Sequence, residues 1–451
     1  MHRLIILTSV ILVLALTPPL RTQDTTPSTA IENVTVIDVE SGARVTGQTV
    51  LIEGNRIAEV GSAAGVEVPF GARIIDGRGK FLIPGLWQMH AHAFVHYGID
   101  YGDGMAMFQL YIANGVTGLR DMGSTVEQLV EGRKRIQELG IAAPRIFASG
   151  PLLDARAPNP RSLNTTIQVP TPQVGRLVVD LLKEAGMDMV KMHGNFSPEV
   201  YAAIAERAQA QQIPLAGHVP QAVTIVEASD AGQISIEHLG PLVAYCVEEN
   251  GRGVGQINVP KCEAGLDILR ANDTFFGPTL IGALPLTADS PLMAEARFRY
   301  VKPAKRSTFG TPPETTAPAA QARYELSQRL TRMASEAGVR LIASSDSAGG
   351  SRIPGFTGID ELILFVEAGV SPFEVLRAGT LYPSILVGRE DDLGTVEAGK
   401  LADLVLLDGD PLMDVRNLRR VAAVVADGRV FEGAGRQALL DAVLEDAGEP
   451  N

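Results

Sequence analysis

Residues 81–92 read FLIPGLWQMHAH, and the interpretation of the whole chain depends on them. An apolar run leads through a Pro-Gly step to two histidines, His90 and His92, that are two positions apart. In a β-strand, side chains at this spacing point to the same side. Two neutral imidazoles that converge on one point can bind a divalent metal ion. Such a pair also arises by chance, so the metal-site interpretation depends on the polar residues that follow.

Composition indicates a folded protein that acts on a small molecule. Hydrophobic residues make up 45% and charged residues 20% of the 451 residues, as in ordinary globular proteins. The length predicts one large domain with a smaller one attached. The formal net charge is -13 and no basic tract occurs, which argues against nucleic acid or an anionic membrane as a partner. We therefore expect a small-molecule substrate, and a homo-oligomer is left open.

The N-terminus has the pattern of a signal peptide. His2 and Arg3 precede the mostly apolar residues 4–16, a run that is short for a membrane span. We predict that residues 1–25 are a signal peptide and linker, with cleavage between about residue 17 and 25. The mature protein would then be exported, periplasmic or secreted, without a stable membrane span. An uncleaved anchor is the alternative.

Both ends of the remaining chain are rich in β-type sequence. Residues 31–83 contain short β-branched runs with turn signals such as Gly54-Asn55, and the same texture returns in residues 404–408 and 421–430. Segments of this size are too small to bury a core alone. We therefore predict that residues 31–83 and 393–435 together form a small β-sandwich domain.

Residues 84–392 alternate between helical and strand patterns. Helical stretches repeatedly end on a glycine, as at Gly115, Gly140 and Gly186, which is typical of a helix C-terminus. Eight strands alternating with helices predict a (β/α)8 TIM-like barrel. An open doubly wound sheet is the alternative, but no Gly-x-Gly-x-x-Gly motif follows the first strand. The candidate strands are 82–92, 116–121, 146–149, 189–192, 214–218, 234–238, 274–280 and 340–346.

Ionisable side chains lie at the C-terminal ends of these strands, where a barrel forms its active-site mouth. Lys191 lies inside an apolar strand, where an unpaired ammonium ion is costly, and a buried lysine with a depressed pKa is a nucleophile. Singly, such residues also occur as buried histidines, helix caps or surface lysines. Together they predict one site. They are His90, His92, Lys191, His218, His238 and Asp346.

These residues and their flanking sequences resemble the metal-dependent amidohydrolase superfamily, in its imidazolonepropionase-like and prolidase-like branch. The similarity extends from about residue 31 to residue 430. The motifs that carry it are Pro84-Gly85-Leu86 before His90 and His92, Lys191, Gly217-His218, Ile236-Glu237-His238, Ser345-Asp346-Ser347, and the segments 115–123 and 394–405.

The resemblance implies a site with two divalent metal ions. Imidazole and carboxylate ligands favour zinc, with manganese or iron as alternatives. Lys191, carbamylated by carbon dioxide, would bridge both ions. The ions would turn water into a nucleophile, and Asp346 would act as general base and then as general acid. The remaining ligands would be His90, His92 and Asp346 for one ion and His218 and His238 for the other.

The resemblance also implies a hydrolase that cleaves an amide C–N bond of a small molecule, of the Xaa-Pro dipeptide or N-acyl amino acid type, and the N-terminal pattern adds that it is exported. The alternatives are an ester, lactone or phosphotriester hydrolase on the same site, or a catalytically silent binding or scaffold protein. Two departures from relatives concern the substrate. Gln88 stands where many carry Asp, and residues 149–156 lack the histidine of imidazolone-hydrolysing relatives.

His193 and Asn195, just beyond Lys191, are candidates for binding the substrate. The alternative is that they cap the helix that begins near residue 197. Cys246 and Cys262 are the only cysteines, and in an exported chain we predict a disulfide between them.

Residues 283–327 form a long connection between two predicted strands, with a basic, Pro-rich centre. We predict that this segment packs over the barrel mouth, where a cation could bind a substrate carboxylate. A surface excursion without function is the alternative. The candidate cations are Lys302, Lys305 and Arg306.

Overall fold

The structure is a computed structural model that describes residues 28–96, 105–156, 165–248, 255–288, 290, 293, 295–306, 313–347 and 351–449. The predicted signal peptide lies outside these ranges. Within them, no helix combines the length and apolar character needed to cross a membrane.

The strands are β1 (Ser28–Ile37), β2 (Arg44–Glu53), β3 (Arg56–Ser62), β4 (Arg73–Asp76), β5 (Phe81–Pro84), β6 (Leu86–Ala91), β7 (Val116–Asp121), β8 (Arg145–Ala148), β9 (Leu152–Asp154), β10 (Thr166–Gln168), β11 (Val190–Gly194), β12 (Leu215–Gly217), β13 (Gln233–Glu237), β14 (Val247–Glu248), β15 (Gln256–Ile257), β16 (Phe275–Gly277), β17 (Leu404–Leu407), β18 (Val421–Ala426) and β19 (Arg429–Glu432).

The helices are α1 (Ala93–His96), α2 (Met107–Ala113), α3 (Val126–Leu139), α4 (Pro172–Glu184), α5 (Pro198–Ala210), α6 (Ile225–Asp230), α7 (Gly240–Cys246), α8 (Val259–Ala271), α9 (Glu295–Phe298), α10 (Pro303–Arg306), α11 (Pro318–Glu336), α12 (Thr357–Glu367), α13 (Pro372–Gly379), α14 (Leu381–Leu386) and α15 (Gly433–Asp446), with 3₁₀ helices at Leu280–Gly282 and Val415–Arg419.

The two chain ends share one eight-stranded sheet, in the order β19-β18-β17-β5-β1-β2-β3 with β4 beside β1. Alternate residues of its central strands enter different cores, as the two-residue period of a strand requires. Leu404 and Leu406 pack in the core of this sheet, whereas Val405 and Leu407 join the large core of the middle region. The sheet therefore lies against the middle region with one face. Its folding into a two-layered sandwich stays a prediction.

The middle region contains two parallel sheets, ordered β6-β7-β8 and β10-β9-β11-β12-β13-β16. Residues 341–347 lie between them, since Phe276 bridges Leu341 and Ala91 bridges Ser347, both in parallel. On the other side, the Asp188 amide donates to the carbonyl oxygen of Ala148 at 2.9 Å. This arrangement is TIM-barrel-like, and closure of a complete eight-stranded barrel stays a prediction.

Several element boundaries differ from the predictions. The strand predicted over 274–280 ends at Gly277, because Thr279 has a φ of 53° and leads into a 3₁₀ turn. The strand predicted over 340–346 makes only isolated bridges in the described residues. The predicted connection 283–327 contains α9 and α10 and passes into α11 at Pro318, where proline suits the first helical position.

Candidate metal centre and active site

Strand β6 delivers two of the predicted ligands to one point. All six of its residues are buried, which fits a strand covered on both faces. His92 Nε2 lies 3.1 Å and His90 Nε2 3.7 Å from Asp346 Oδ1. Ligand atoms of these three residues all lie within 4.8 Å of one another. Two imidazoles and one carboxylate in this arrangement form a donor set that suits zinc or a similar divalent ion.

A buried carboxylate orients His90. Glu237 Oε2 lies 3.2 Å from His90 Nδ1, and Glu237 also pairs with the guanidinium of Arg120. Ser235 and Ser344 donate hydroxyl hydrogen bonds to Glu237 at 2.8 and 3.2 Å. Since a carboxylate can only accept, it selects the tautomer of His90 with the proton on Nδ1. Nε2 is then left with its lone pair toward Asp346, as a metal ligand requires.

Lys191 lies on β11 with 1% of its surface exposed. Its Nζ is 3.4 Å from Nε2 of His90. Burial lowers the pKa of Lys191 to about 8, and the positive charge of Arg120 acts in the same direction against Glu237. On the order of a tenth of such a side chain is uncharged at pH 7.

His218 and His238 follow directly after β12 and β13. The φ of Gly217 is 121°, and a Cβ there would lie 2.3 Å from the carbonyl oxygen of Met192. Glycine therefore lets the chain turn closely enough for the His218 amide to donate to Met192 O at 2.9 Å. His238 has a left-handed φ of 67°, with its amide bonded to Gly277 O at 2.7 Å. Such strained positions are common in functional sites.

Five imidazole rings form a continuous row across the strand ends. The centroid separations along this row are 5.4, 4.9, 4.7 and 4.8 Å. Burial, with Lys191 nearby, lowers the pKa of His238 to about 4 and those of His90 and His218 well below their usual range. These three imidazoles are therefore neutral at pH 7, which is the ligating form. The row runs through His92, His90, His238, His218 and His193.

Asp346 lies opposite the histidines in a left-handed conformation, with φ of 53°. Arg352 binds it twice, from Nη2 to Oδ2 at 3.0 Å and from Nε to the backbone oxygen at 2.9 Å. Burial alone would raise the pKa of Asp346, but His92, His90 and Arg352 hold it well below its usual range. The side chain is a carboxylate at neutral pH and can accept a proton.

Gln88 lies on β6, two residues before His90, and its side chain stabilises this strand. Its Nε2 donates to the carbonyl oxygen of His90 at 2.6 Å and to Ser345 Oγ at 2.8 Å. One buried amide thus ties the backbone of His90 to the residue that precedes Asp346. This contact explains how glutamine serves a position where a shorter aspartate was expected from relatives.

His193 and Asn195 both bind the buried carboxylate of Asp154. His193 Nδ1 lies 2.7 Å from Asp154 Oδ2, and Asn195 Nδ2 donates to it at 3.3 and 3.4 Å. The cap of α5 is instead Ser197, whose hydroxyl accepts from the Val200 amide. The capping alternative is therefore wrong. A substrate-binding role stays a prediction, supported by the His193 side chain, which is 42% exposed beside His218.

A cavity of about 740 Å³ opens beside the second pair of histidines and is lined in part by His218, His238 and Tyr245. The structure joins Cys246 and Cys262 in a disulfide, with Cα atoms 4.6 Å apart.

Of the basic residues in the long connection, Arg306 donates to Glu449 at 2.5 Å and to Val301 O at 2.7 Å. That guanidinium is therefore already paired. Residues 307–312 of the connection lie outside the described residues.

Four charged residues of the site, Arg120, Asp154, Glu237 and Arg352, were not assigned roles from the sequence. Arg120 and Glu237 were part of the recognised motifs, but their pairing was not predicted. Each lies in a strand whose residues are nearly all buried, and a buried charge requires a partner of opposite sign. Both strands contain other polar residues, so the sequence alone gave little sign that these two charges are buried.

Comparison with known proteins shows that the chain is similar to amidohydrolases. Residues 320–431 match the model of the amidohydrolase family. The ochratoxinase of Aspergillus niger is 24% identical in a match that covers 87% of this chain and 85% of the relative. These matches confirm the predicted resemblance, and the sequence-based expectation of a hydrolase is confirmed with it.

Solved structures show the same fold. A Bifidobacterium longum protein assigned as a prolidase is 25% identical, with a TM-score of 0.69, over 93% of this chain and 99% of its own. A bottromycin amidohydrolase is 23% identical, with a TM-score of 0.71, over 94% of this chain and 91% of its own. The similarity extends over nearly the whole of both structures, so the TIM-barrel-like α/β fold predicted from the strand pattern is confirmed.

Proposed function

We propose that this chain, an amidohydrolase that acts on C–N bonds, is an exported enzyme with two divalent metal ions that cleaves a small N-acyl amino acid or a dipeptide of the Xaa-Pro type. The observation that carries the proposal is the convergence of neutral imidazoles, a carboxylate and a buried lysine at the ends of successive parallel strands. Export is supported by the N-terminal pattern and by the disulfide, which persists in oxidising compartments.

In this proposal two ions share Lys191, and the group of His90, His92 and Asp346 supports the first of them. His90, His92 and Asp346 would hold one ion, and His218 with His238 the other. Lys191 approaches His90 within 3.4 Å, and the neutral amine that its lowered pKa makes available is the form that reacts with carbon dioxide. The resulting carbamate would carry two oxygens toward the two histidine groups. We propose zinc as the ion, because imidazole and carboxylate ligands favour it.

When bound, the ions would supply an activated water and polarise the scissile carbonyl at neutral pH. The protein supplies the proton transfers. Asp346 is ionised, lies beside His92, and is oriented by Arg352, so it can take the proton of the attacking water and return it to the leaving amine. The exposed ring of His193 borders His218, where it can orient the carbonyl of the substrate.

Metal analysis and a substrate panel test the proposal together. The purified mature protein, loaded with zinc, is expected to retain about two ions per chain and to hydrolyse members of a panel of dipeptides and N-acyl amino acids, with activity lost on chelation and restored by metal. Matched esters, lactones and phosphotriesters serve as the competing substrates. Preference for those substrates would replace the amidase assignment. Full metal content without hydrolysis of any compound would favour the binding or scaffold alternative.

A further inference from the structure

We infer that Lys261 and Tyr245 form a subsite that binds the carboxylate of the substrate, in the cavity that His218 and His238 also line. The inference rests on the proposed function, since it concerns the substrate of the same site. It names the substrate class more closely, as an N-acyl amino acid or dipeptide with a free carboxylate and an apolar side chain.

The cavity connects this subsite to the metal centre. His218 and His238 line it at one side, and Lys261 lines it on α8. Among the described residues that line the cavity, Lys261 is the only lysine or arginine. The buried carboxylate of Glu237, also in the lining, is already bound by Arg120. Of the described side chains that line the cavity, Lys261 is therefore the one cation that could bind a substrate anion, besides the proposed metal ions.

The ammonium group is held against an aromatic wall. Lys261 Nζ lies 4.7 Å from the centroid of the Tyr245 ring, within the range of a cation–π contact. Gly265 leaves room for that ring, because a Cβ at this position would lie 2.5 Å from Tyr245 Cε1. The side chain of Lys261 therefore has a preferred position at the cavity wall, although its ammonium group retains donors for a ligand.

The disulfide fixes the two residues relative to each other. Tyr245 and Lys261 each immediately precede one of the bridged cysteines, Cys246 and Cys262, on α7 and α8. The strands β14 and β15 pair between the two helices. In addition, the Asn258 amide donates to the carbonyl oxygen of Cys246 at 2.8 Å. A subsite ordered before the substrate arrives loses less conformational entropy on binding.

The remaining lining determines the chemical class of the ligand. The lining of the cavity is mostly apolar, which suits an apolar side chain next to the carboxylate. A lysine binds such a carboxylate as a point charge, without the bidentate geometry of arginine. The apolar residues of this wall are Val219, Pro220, Val223, Pro241 and Ala244.

Two probes that differ only in the carboxylate test this subsite. N-Acetyl-L-phenylalanine carries it, and N-acetylphenethylamine lacks it. For the zinc-loaded enzyme, Lys261→Met keeps the length of the side chain and removes its charge. We expect KM for the acid to rise about tenfold or more, as for loss of a hydrogen bond to a charged group, with kcat changed less than threefold. KM for the neutral probe should stay within about twofold, because it makes no contact with the charge.

Lys134→Met is the matched control, since it removes the same charge from α3, outside the cavity lining. It should leave both KM values unchanged. Equal changes for the two probes in Lys261→Met, or no change for either, would overturn the carboxylate subsite while hydrolysis by the wild type still supports the proposed function. If the zinc-loaded wild type hydrolyses neither probe nor any compound of the panel, the proposed function fails and the subsite fails with it.

Discussion

The two halves of the candidate metal centre are positioned in different ways. The first half consists of His90, His92 and Asp346, and the second of His218 and His238. In the first half, side chains position His90, since Glu237 binds its ring and Gln88 binds its backbone. His218 and His238 are placed by the backbone, through Gly217 and a left-handed φ, and they border an open cavity. The first half is thus organised before any ion binds. The second half depends more on the ion and on the group that would bridge the two.

The largest effect should come from the residue between the halves. Lys191→Ala would remove the proposed bridging anion, so the two proposed cations would lose their charge compensation. We expect metal content to fall from about two ions toward one, with the second half emptied first, and activity to fall by roughly three decades. Metal analysis and kcat/KM measure both. Added short carboxylic acids or bicarbonate should restore part of the activity.

Lys183→Ala, on α4, is the control, since that lysine donates to Gln212 O and does not reach the site. Two ions and full activity in Lys191→Ala would refute the binuclear carbamate model and the distinction between the halves.

A smaller effect is expected at Asp346, where ligation and proton transfer can be separated. Asp346→Asn keeps an oxygen of similar size, and asparagine tolerates the left-handed φ of this position. Most of the metal should stay, whereas kcat should fall by about two decades because the amide cannot accept the proton. Paired metal analysis and kcat measurements distinguish the outcomes. Near-normal kcat with metal bound would remove the acid–base role.

The smallest effect, on metal affinity, should come from removing the contact between Gln88 and the backbone of His90. Gln88→Met is close in size but removes one of the two donors to the carbonyl oxygen of His90, leaving only the Ser347 amide at 3.2 Å. Loss of such indirect support lowers metal affinity by about tenfold. Competition with a chelator should show faster release from one of the two sites only. Loss from both sites at equal rates would contradict the independence of the halves.

The candidate ligands could be predicted from the sequence because their signals are local. Histidines two positions apart and a lysine within an apolar strand are recognisable without knowledge of their neighbours. The pairing of Arg120 with Glu237 is not local, since 117 positions separate the two residues. The left-handed conformations of His238 and Asp346 could not be predicted from the sequence either, because a φ of this kind depends on tertiary contacts rather than on residue type.

The same distinction applies to the fold. The alternation of strands and helices was readable from periodicity and from glycine at helix ends, and it predicted the barrel-like middle region. The short strands β9 and β10 gave no such signal, since three residues cannot show a period. The helix α15 extends beyond the boundary predicted at residue 435 and was missed. Arg436 in this helix donates to the carbonyl oxygen of Ala113 at 2.6 Å, so a distant contact helps to place it.

The shared sheet of the chain ends has a consequence for biosynthesis. Strand β5 bonds to β1 on one side and to β17 on the other, and β17 begins only at Leu404. During synthesis, one edge of β5 therefore stays unpaired until its partner strand β17 has been made. Contacts so distant in sequence form slowly, and an uncovered strand edge invites self-association. Strand β17 thus covers, late in synthesis, an edge of β5 that would otherwise be open to pairing with another chain.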